Sequence, residues 1–357
     1  MDHLRVSPMN AFDRLTNILN GKKRVIDRLP AMNSVGTYTL EAMKAFDAQW
    51  PDAHTDPKKI ARLAAGLSKL AGLDNITVPF DLTLEAEAFG APVEYFKDQV
   101  KWPTVKRFIA RNVSDLQFPD DLLSTGRIPQ VLEALRILRE ENGGKVPVIA
   151  YVNAPFTSIG SYLVEPSEFL KLVKRTPEKI TQFCNEMYPY YAEIANAFAE
   201  AGADVITFRE EAASLDTISP RHFDELVKPY LKKMIALVKA PQIIHICGQC
   251  VSGDLEIISK IIECGAEAIT IGETTSMQTA RKIADKAKPG YPIGGNISAY
   301  NVIHMGPIKR IREQVRKVIE DGADMVTPGC DFWIETPTKN VRVFVKAVEE
   351  FGKIDAS

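Results

Sequence analysis

The stretch IIHICGQC, residues 243–250, sets one of five histidines beside two of five cysteines. Imidazole nitrogen and thiolate sulfur are the donors zinc prefers, while a CxxC pair is also a redox or zinc-knuckle signal. Residues i and i+2 of a strand point the same way, so His245 and Cys247 can face one point. Cys250, beyond Gly248, need not. A structural zinc knuckle needs a second CxxC or Cys/His pair of similar spacing, and none is present. A thioredoxin-like CxxC needs a helix starting after the strand, and that reading stays open.

Cys330, closing MVTPGC, adds a third nitrogen or sulfur donor, and Glu273, after ITIG, is the expected fourth ligand. Three firm ligands and one displaceable one is the pattern of a catalytic zinc site. Spacing alone does not settle the matter. Other polar residues follow apolar runs in the same way: Asp81, Asn153, Glu210, Glu211 and Asn296. Asn153 and Glu210 are candidates for orienting a ligand or acting in catalysis; Asn296, Ser298 and Asp81 are candidates for holding the polar part of a substrate or cofactor. Cys184 lies on an apolar helical stripe, and Cys250 and Cys264 read as packing residues. His54 and His304 read as structural.

These positions need a frame. AGADVITF (201–208), CGAEAITI (264–271) and DGADMVTPG (321–329) resemble one another, each with a glycine where a helix ends and then a run fit for a buried parallel strand. Five further runs, at 28–32, 76–80, 146–152, 242–246 and 292–296, bring the strand candidates to eight. Helical patterns lie between them, such as the stripe Ile180, Phe183, Cys184, Met187, Tyr191, Ile194 and Phe198, with Thr176 as cap, Pro177 at the first turn and a kink expected at Pro189. Eight strands alternating with helices predict a (β/α)8 TIM barrel, with a doubly wound open sheet as the alternative. A helical extension is expected over 1–24 and mouth insertions over 90–142, in a single catalytic domain spanning 1–357. In such a barrel, chemistry gathers at the C-terminal ends of the strands.

Forty-four basic against 46 acidic residues give a net charge of −2, with both signs mixed along the chain. This argues against nucleic acid or a membrane surface as partner. MDHLRVSPMNAFDRL has no apolar signal core, no run is long enough to span a bilayer, and the odd cysteine count suits a reducing compartment, so a cytoplasmic protein is expected. The GxxxxGK[ST], HExxH and GxSxG motifs are absent.

His-x-Cys with a Glu 28 residues and a Cys 85 residues after the His resembles the zinc signature of thiol-alkylating methyltransferases. WPDAHTDP, LSTGRIPQVLEAL, AGADVI, SPRHF, IIHICG, GGNIS and TPGC extend the likeness over nearly the whole chain. The family resembled is that of the methylcobalamin:coenzyme M methyltransferases, within the uroporphyrinogen decarboxylase superfamily. The resemblance implies a barrel, Zn2+ on His245, Cys247 and Cys330, and Glu273 as the ligand that a thiol displaces. It implies methyl transfer from a corrinoid protein to a small thiol such as coenzyme M. No D-x-H-x-x-G occurs, since Pro57 stands where DAHTDP would need glycine, so the corrinoid is expected on a separate small partner protein.

LPAMNSVGTYTLEAM offers no arginine where uroporphyrinogen decarboxylases carry an Arg-rich stretch, which argues against decarboxylation. CGQCVSGDLEIIS is about four residues longer after HICG than in the relatives. Asp81, Glu85 and Glu87 lie either on a solvated helix start or at the mouth, where they would argue against coenzyme M. Two alternatives stand beside the main reading. In one, a methylated small molecule such as a methoxylated aromatic gives its methyl to the corrinoid protein; in the other, the barrel is a non-enzymatic zinc scaffold.

Overall fold

A computed structural model describes residues 9–354. Seven strands form one parallel sheet in chain order: β1 (Ile76–Val78), β2 (Val148–Asn153), β3 (Val205–Arg209), β4 (Gln242–Ile246), β5 (Ala268–Ile271), β6 (Ile293–Ile297) and β7 (Met325–Pro328). Every strand is buried on both faces, as parallel strands covered by crossover helices must be. The sheet curls into the expected TIM-like (β/α)8 barrel.

The eighth strand candidate is the exception. The segment around Ala31 bridges the two edge strands without becoming a regular strand. The Met32 amide donates to Val326 O at 3.0 Å, the Val326 amide to Pro30 O at 3.0 Å, and the Asp74 amide to Ala31 O at 2.9 Å. Pro30 has no N–H to give, so the ladder cannot extend backwards. Asn33 and Asn75 complete the closure with reciprocal bonds of 2.8 and 2.7 Å.

The helix Pro177–Ala201 buries all seven residues of the predicted stripe, and a fully buried side chain of this size contributes about 1.5–3 kcal/mol. Thr176 stands at its N-cap, but the hydroxyl makes no capping bond, and the helix runs on through Pro189. Gly202 and Gly322, at φ +133° and +102°, turn the chain from helix to strand as expected. Before the barrel, Ala11–Leu19 forms the expected N-terminal helix; residues 1–8 of that extension lie outside the described residues.

Within 90–142, Val93–Glu94 and Thr104–Val105 pair as a short antiparallel ribbon at the mouth, and Ile128–Asn142 is an ordinary outer helix. The extra residues after Cys250 form a second ribbon, Val251–Ser252 against Leu255–Glu256. No helix starts at Cys247, so the thioredoxin-like reading loses its structural requirement. Among the described residues, no helix is long and apolar enough to cross a membrane.

Candidate metal centre

His245 is the last residue but one of β4, and Cys247, two residues on, follows it on the same side. Cys330 leaves the end of β7, and Glu211 leaves the end of β3. The ligand atoms of Glu211, His245, Cys247 and Cys330 all lie within 4.8 Å of one another. His245 is almost wholly buried, and the other three are half-buried. The His245 Nδ1 lies 2.9 Å from the Thr270 hydroxyl of the neighbouring strand, while Nε2 is buried without a partner. A buried ring nitrogen without a protein partner, beside two thiols and a carboxylate, is a donor set that fits a metal ion. Burial, and then the Arg209 charge, push the imidazole down to about 3, so the ring is neutral and its lone pair is available. Contact with Cys247, burial and Asp331 hold the Cys330 thiol well above its ordinary value without metal. One nitrogen, two sulfurs and one carboxylate oxygen suit zinc.

Close backbone packing sets this geometry. A Cβ on Gly272 would come within 1.9 Å of the Cys247 carbonyl oxygen, so only glycine lets the two strand ends approach. Gly36 gives way in the same manner to Asp331, whose Oδ1 would lie 2.1 Å from an added Cβ. Arg209, at the end of β3, donates to Glu211 Oε1 at 2.6 Å and to Asp331 Oδ2 at 2.8 Å, with its guanidinium 5.0 Å above the Tyr151 ring. Burial pushes the Asp331 carboxyl up, but Arg209 outweighs it and holds the group below the usual carboxylate range.

Over this group opens a cavity of about 480 Å³. Its walls carry Tyr38, Phe80, Trp102, Phe108, Tyr151 and Tyr162, and its floor carries Arg209, Glu211, Cys330 and Asp331. The Trp102 indole donates to the Tyr38 hydroxyl at 2.7 Å, and that hydroxyl donates to Asp331 Oδ1 at 3.2 Å. The aromatic wall is thus tied to the same carboxylate that orients Arg209.

The expected site residues are only partly brought together. His245, Cys247 and Cys330 converge; Glu273 does not. Thr270 faces His245, so the alternation carries Gly272 inward and Glu273 outward, where it is exposed in a cleft with Asn296 and Lys317. Glu211 stands in its place. The rule that pairs His245 with Cys247 also pairs Arg209 with Glu211 and turns Glu210 away, but which of the two sides faces the cluster is not written in the segment itself. Glu210 instead accepts from the Thr157 amide at 2.9 Å and hydroxyl at 2.6 Å, and burial pushes its carboxyl up to about 8.

Asn153 donates to Glu85 at 2.9 Å and to Leu82 O at 2.8 Å; Asn296 donates to Gly272 O at 3.1 Å, and the Ser298 hydroxyl accepts from the Asn301 amide at 3.0 Å. None of these three lines the cavity. The imidazole's partner is Thr270, which only the strand register, His245 opposite Thr270, could have supplied.

Asp81 does reach the cavity wall, but its carboxylate is engaged from behind by Arg127 at 2.7 and 3.1 Å and by His54 at 3.2 Å. Burial pushes Asp81 up, yet Arg127 and His54 hold it well below the usual range. Glu85 is buried and Glu87 is bonded to Arg127 at 2.6 Å, so neither lies on a solvated helix face. Cys184, Cys250 and Cys264 are buried, as expected of packing residues.

Comparison with known proteins gives the family and the fold. The uroporphyrinogen decarboxylase (URO-D) family matches residues 10–351. Methylcobamide:CoM methyltransferase MtaA of Methanosarcina barkeri (strain Fusaro / DSM 804) is 32% identical over 340 residues, 95% of this chain and 97% of the relative. Methylcobamide:CoM methyltransferase MtbA of Methanosarcina acetivorans is 30% identical over 92% of this chain and 95% of its own. A solved methyltransferase from Methanosarcina mazei superposes with a TM-score of 0.88 at 30% identity, over 96% of this chain and 99% of the other. The chain belongs to the uroporphyrinogen decarboxylase (URO-D) family and, within it, to the group of the methylcobamide:CoM methyltransferases, which makes it an enzyme of the methyltransferase class.

Proposed function

We propose that the chain is a zinc-dependent methyltransferase that moves a methyl group from a corrinoid carried by a partner protein to a small thiol. The observation that carries this reading is the cluster of Glu211, His245, Cys247 and Cys330, of which Glu211 and Cys330 line an open cavity. His245, Cys247 and Cys330 would hold the metal, with Glu211 as the fourth, exchangeable ligand. Zinc bound there supplies a Lewis acid that keeps a thiol sulfur as thiolate near neutral pH.

The residues of the chain do the rest. Thr270 fixes the imidazole so that Nε2 faces the cluster. Arg209 holds Glu211 and Asp331 in place and offsets part of their charge in a region screened from water. Glu211, on the cavity floor, is placed to pass the thiol proton towards solvent. Tyr38, Trp102 and Tyr151 exclude water around the sulfur, which preserves its nucleophilicity. The methylated corrinoid of the partner would supply the methyl group and would keep the electron pair of the bond given up, while these residues keep the accepting sulfur deprotonated and shielded from water.

The corrinoid protein would dock over the mouth, where Trp333, 6.2 Å from Trp102, and Tyr300 leave aromatic surface exposed. Relatives named methylcobamide:CoM methyltransferases support both the corrinoid partner and coenzyme M as a reference acceptor. The same residues serve the reverse transfer from a methylated small molecule, a reading favoured by the apolar cavity walls. Zinc-edge X-ray absorption tests the proposal. A shell of two sulfurs with nitrogen and oxygen should exchange one oxygen for sulfur when 2-mercaptoethanol is added. A zinc-free protein, or a shell that no thiol alters, would refute it.

A further inference from the structure

The polar groups around the cavity over the cluster are of two kinds. Most are already engaged: the Trp102 N–H with Tyr38, the Tyr38 hydroxyl with Asp331, the Tyr151 hydroxyl with the Asp81 carbonyl at 3.1 Å, and Arg209 with Glu211 and Asp331. The Asp81 carboxylate is taken by Arg127. Thr104, Ser161 and Tyr162 line the same cavity, and among the described residues their hydroxyls have no hydrogen-bond partner.

The local chain sets two of them in place. After β2 and the short helix Pro155–Ser158, residues Ile159–Leu163 form one turn of π-helix. Ile159 and Leu163 are buried, and Gly160 packs so close to Phe169 that an added Cβ would come within 2.6 Å of its ring. With that side fixed against the body of the barrel, the wide turn presents Ser161 and Tyr162, both half-buried, to the cavity. The amides of Ile109 and Ala110 donate to the Leu163 carbonyl at 3.0 and 3.1 Å and hold the next stretch of wall against the turn. Burial, and then the Glu211 charge, push the Tyr162 phenol well above its ordinary value, so it keeps its proton and can donate.

A thiol whose sulfur meets Glu211 and Cys330 on the floor must lay its tail along a wall. A tail without polar atoms would leave these hydroxyls unsatisfied once water is displaced, whereas an oxygen-bearing tail accepts from them, and an oxyanion does so most strongly. Because Thr104 is exposed and Ser161 and Tyr162 are half-buried, a charge on the tail keeps contact with water and avoids the full cost of burial. The same positions divide the mouth. Ser161 and Tyr162 follow β2, four places round the sheet from β6, whose end leads to the exposed Tyr300. Tail and docked methyl carrier are thus kept apart.

We propose that Ser161 and Tyr162 form the subsite for the tail of the accepting thiol and select an oxyanion there, with Thr104 at its outer edge. This deepens the reading of the cluster as a thiol site and rests on it.

Titration calorimetry on the zinc-loaded protein tests it, with 2-mercaptoethanesulfonate and with propane-1-thiol, which has similar length and no polar head. The sulfonate should bind at least tenfold tighter than propane-1-thiol. Ser161→Ala and Tyr162→Phe should each weaken the sulfonate about tenfold, the scale of one hydrogen bond to a charged group, and leave propane-1-thiol within about threefold. Zinc content and thermal unfolding check that the variants are intact. If the unmodified protein prefers propane-1-thiol, or if both variants bind the sulfonate within twofold of it or weaken the two thiols equally, the hydroxyls do not select the tail; the inference is overturned and the thiol site stands. If neither thiol binds the unmodified protein, the thiol site itself fails and the inference falls with it.

Discussion

Thr270→Val removes the hydroxyl that meets His245, together with its longer contact of 3.4 Å to the Ser34 hydroxyl. Valine keeps the branching and nearly the shape of threonine but puts a methyl where the oxygen 2.9 Å from His245 Nδ1 stood. Both groups are buried, with His245 and Thr270 each 1% exposed, so water cannot replace the lost partner. Leaving a buried donor unpaired costs about 1–3 kcal/mol. Part of that cost is common to the metal-free and metal-bound states, but two components are not. Coordination at Nε2 polarises the ring and strengthens the Nδ1 bond, and the free ring without Thr270 can place its proton on Nε2, which must be removed before a metal binds. A differential of about 1.4–2.8 kcal/mol corresponds to a 10- to 100-fold loss of zinc affinity, the range typical of removing a partner that orients a histidine ligand. Competition with a chromophoric chelator measures the affinity, and thermal unfolding of the metal-free variant checks that the barrel is intact. Thr270→Ser should stay within about threefold of the unmodified protein. If Thr270→Val binds zinc within twofold while His245→Ala loses it, the threonine does not orient the imidazole and the reasoning fails.

The other predictions probe the cluster and its supports. Gly272→Ala forces a methyl against the Cys247 carbonyl at 1.9 Å, so zinc content after purification should drop below half while the circular dichroism spectrum stays barrel-like; full zinc occupancy would count against the close approach. Asp81→Asn leaves Arg127 buried with a single carboxylate partner and should destabilise the protein by about 3–5 kcal/mol, read as a shift of the urea midpoint. Burial raises Glu85 from 4.5 to about 7, so the folded chain binds the extra proton across that interval. Stability from this group is therefore greatest below about pH 4.5 and declines as pH rises through 7, by on the order of 3 kcal/mol. Glu85→Gln should flatten that part of the profile, as followed by denaturant midpoints from pH 5 to 8; an unchanged slope would exclude Glu85 as its source.

The sequence by itself determined the barrel and half of the centre. Helix-ending glycines before β-branched runs recur at 201–208, 264–271 and 321–329 because each crossover solves the same local problem of turning a helix into a buried strand. His245 and Cys247 were legible because their relation is local, two residues apart on one strand. Cys330 was legible as another strand-end sulfur.

What the tertiary structure decided depends on register and on groups distant along the chain. Glu211 and Glu273 both follow strands, and only the inward parity of β3 and β5 tells them apart. Thr270 meets His245 because two strands pair in one register and not in its neighbour, a choice no single segment contains. Asp81 looked free to meet a substrate until Arg127, 46 residues later, folded back onto it. Arg209 is a strand-end cation whose partners, Glu211 and Asp331, only the fold supplies together. Charge is read from the chain one residue at a time, but whether a charge is available is settled by which neighbours the fold packs against it.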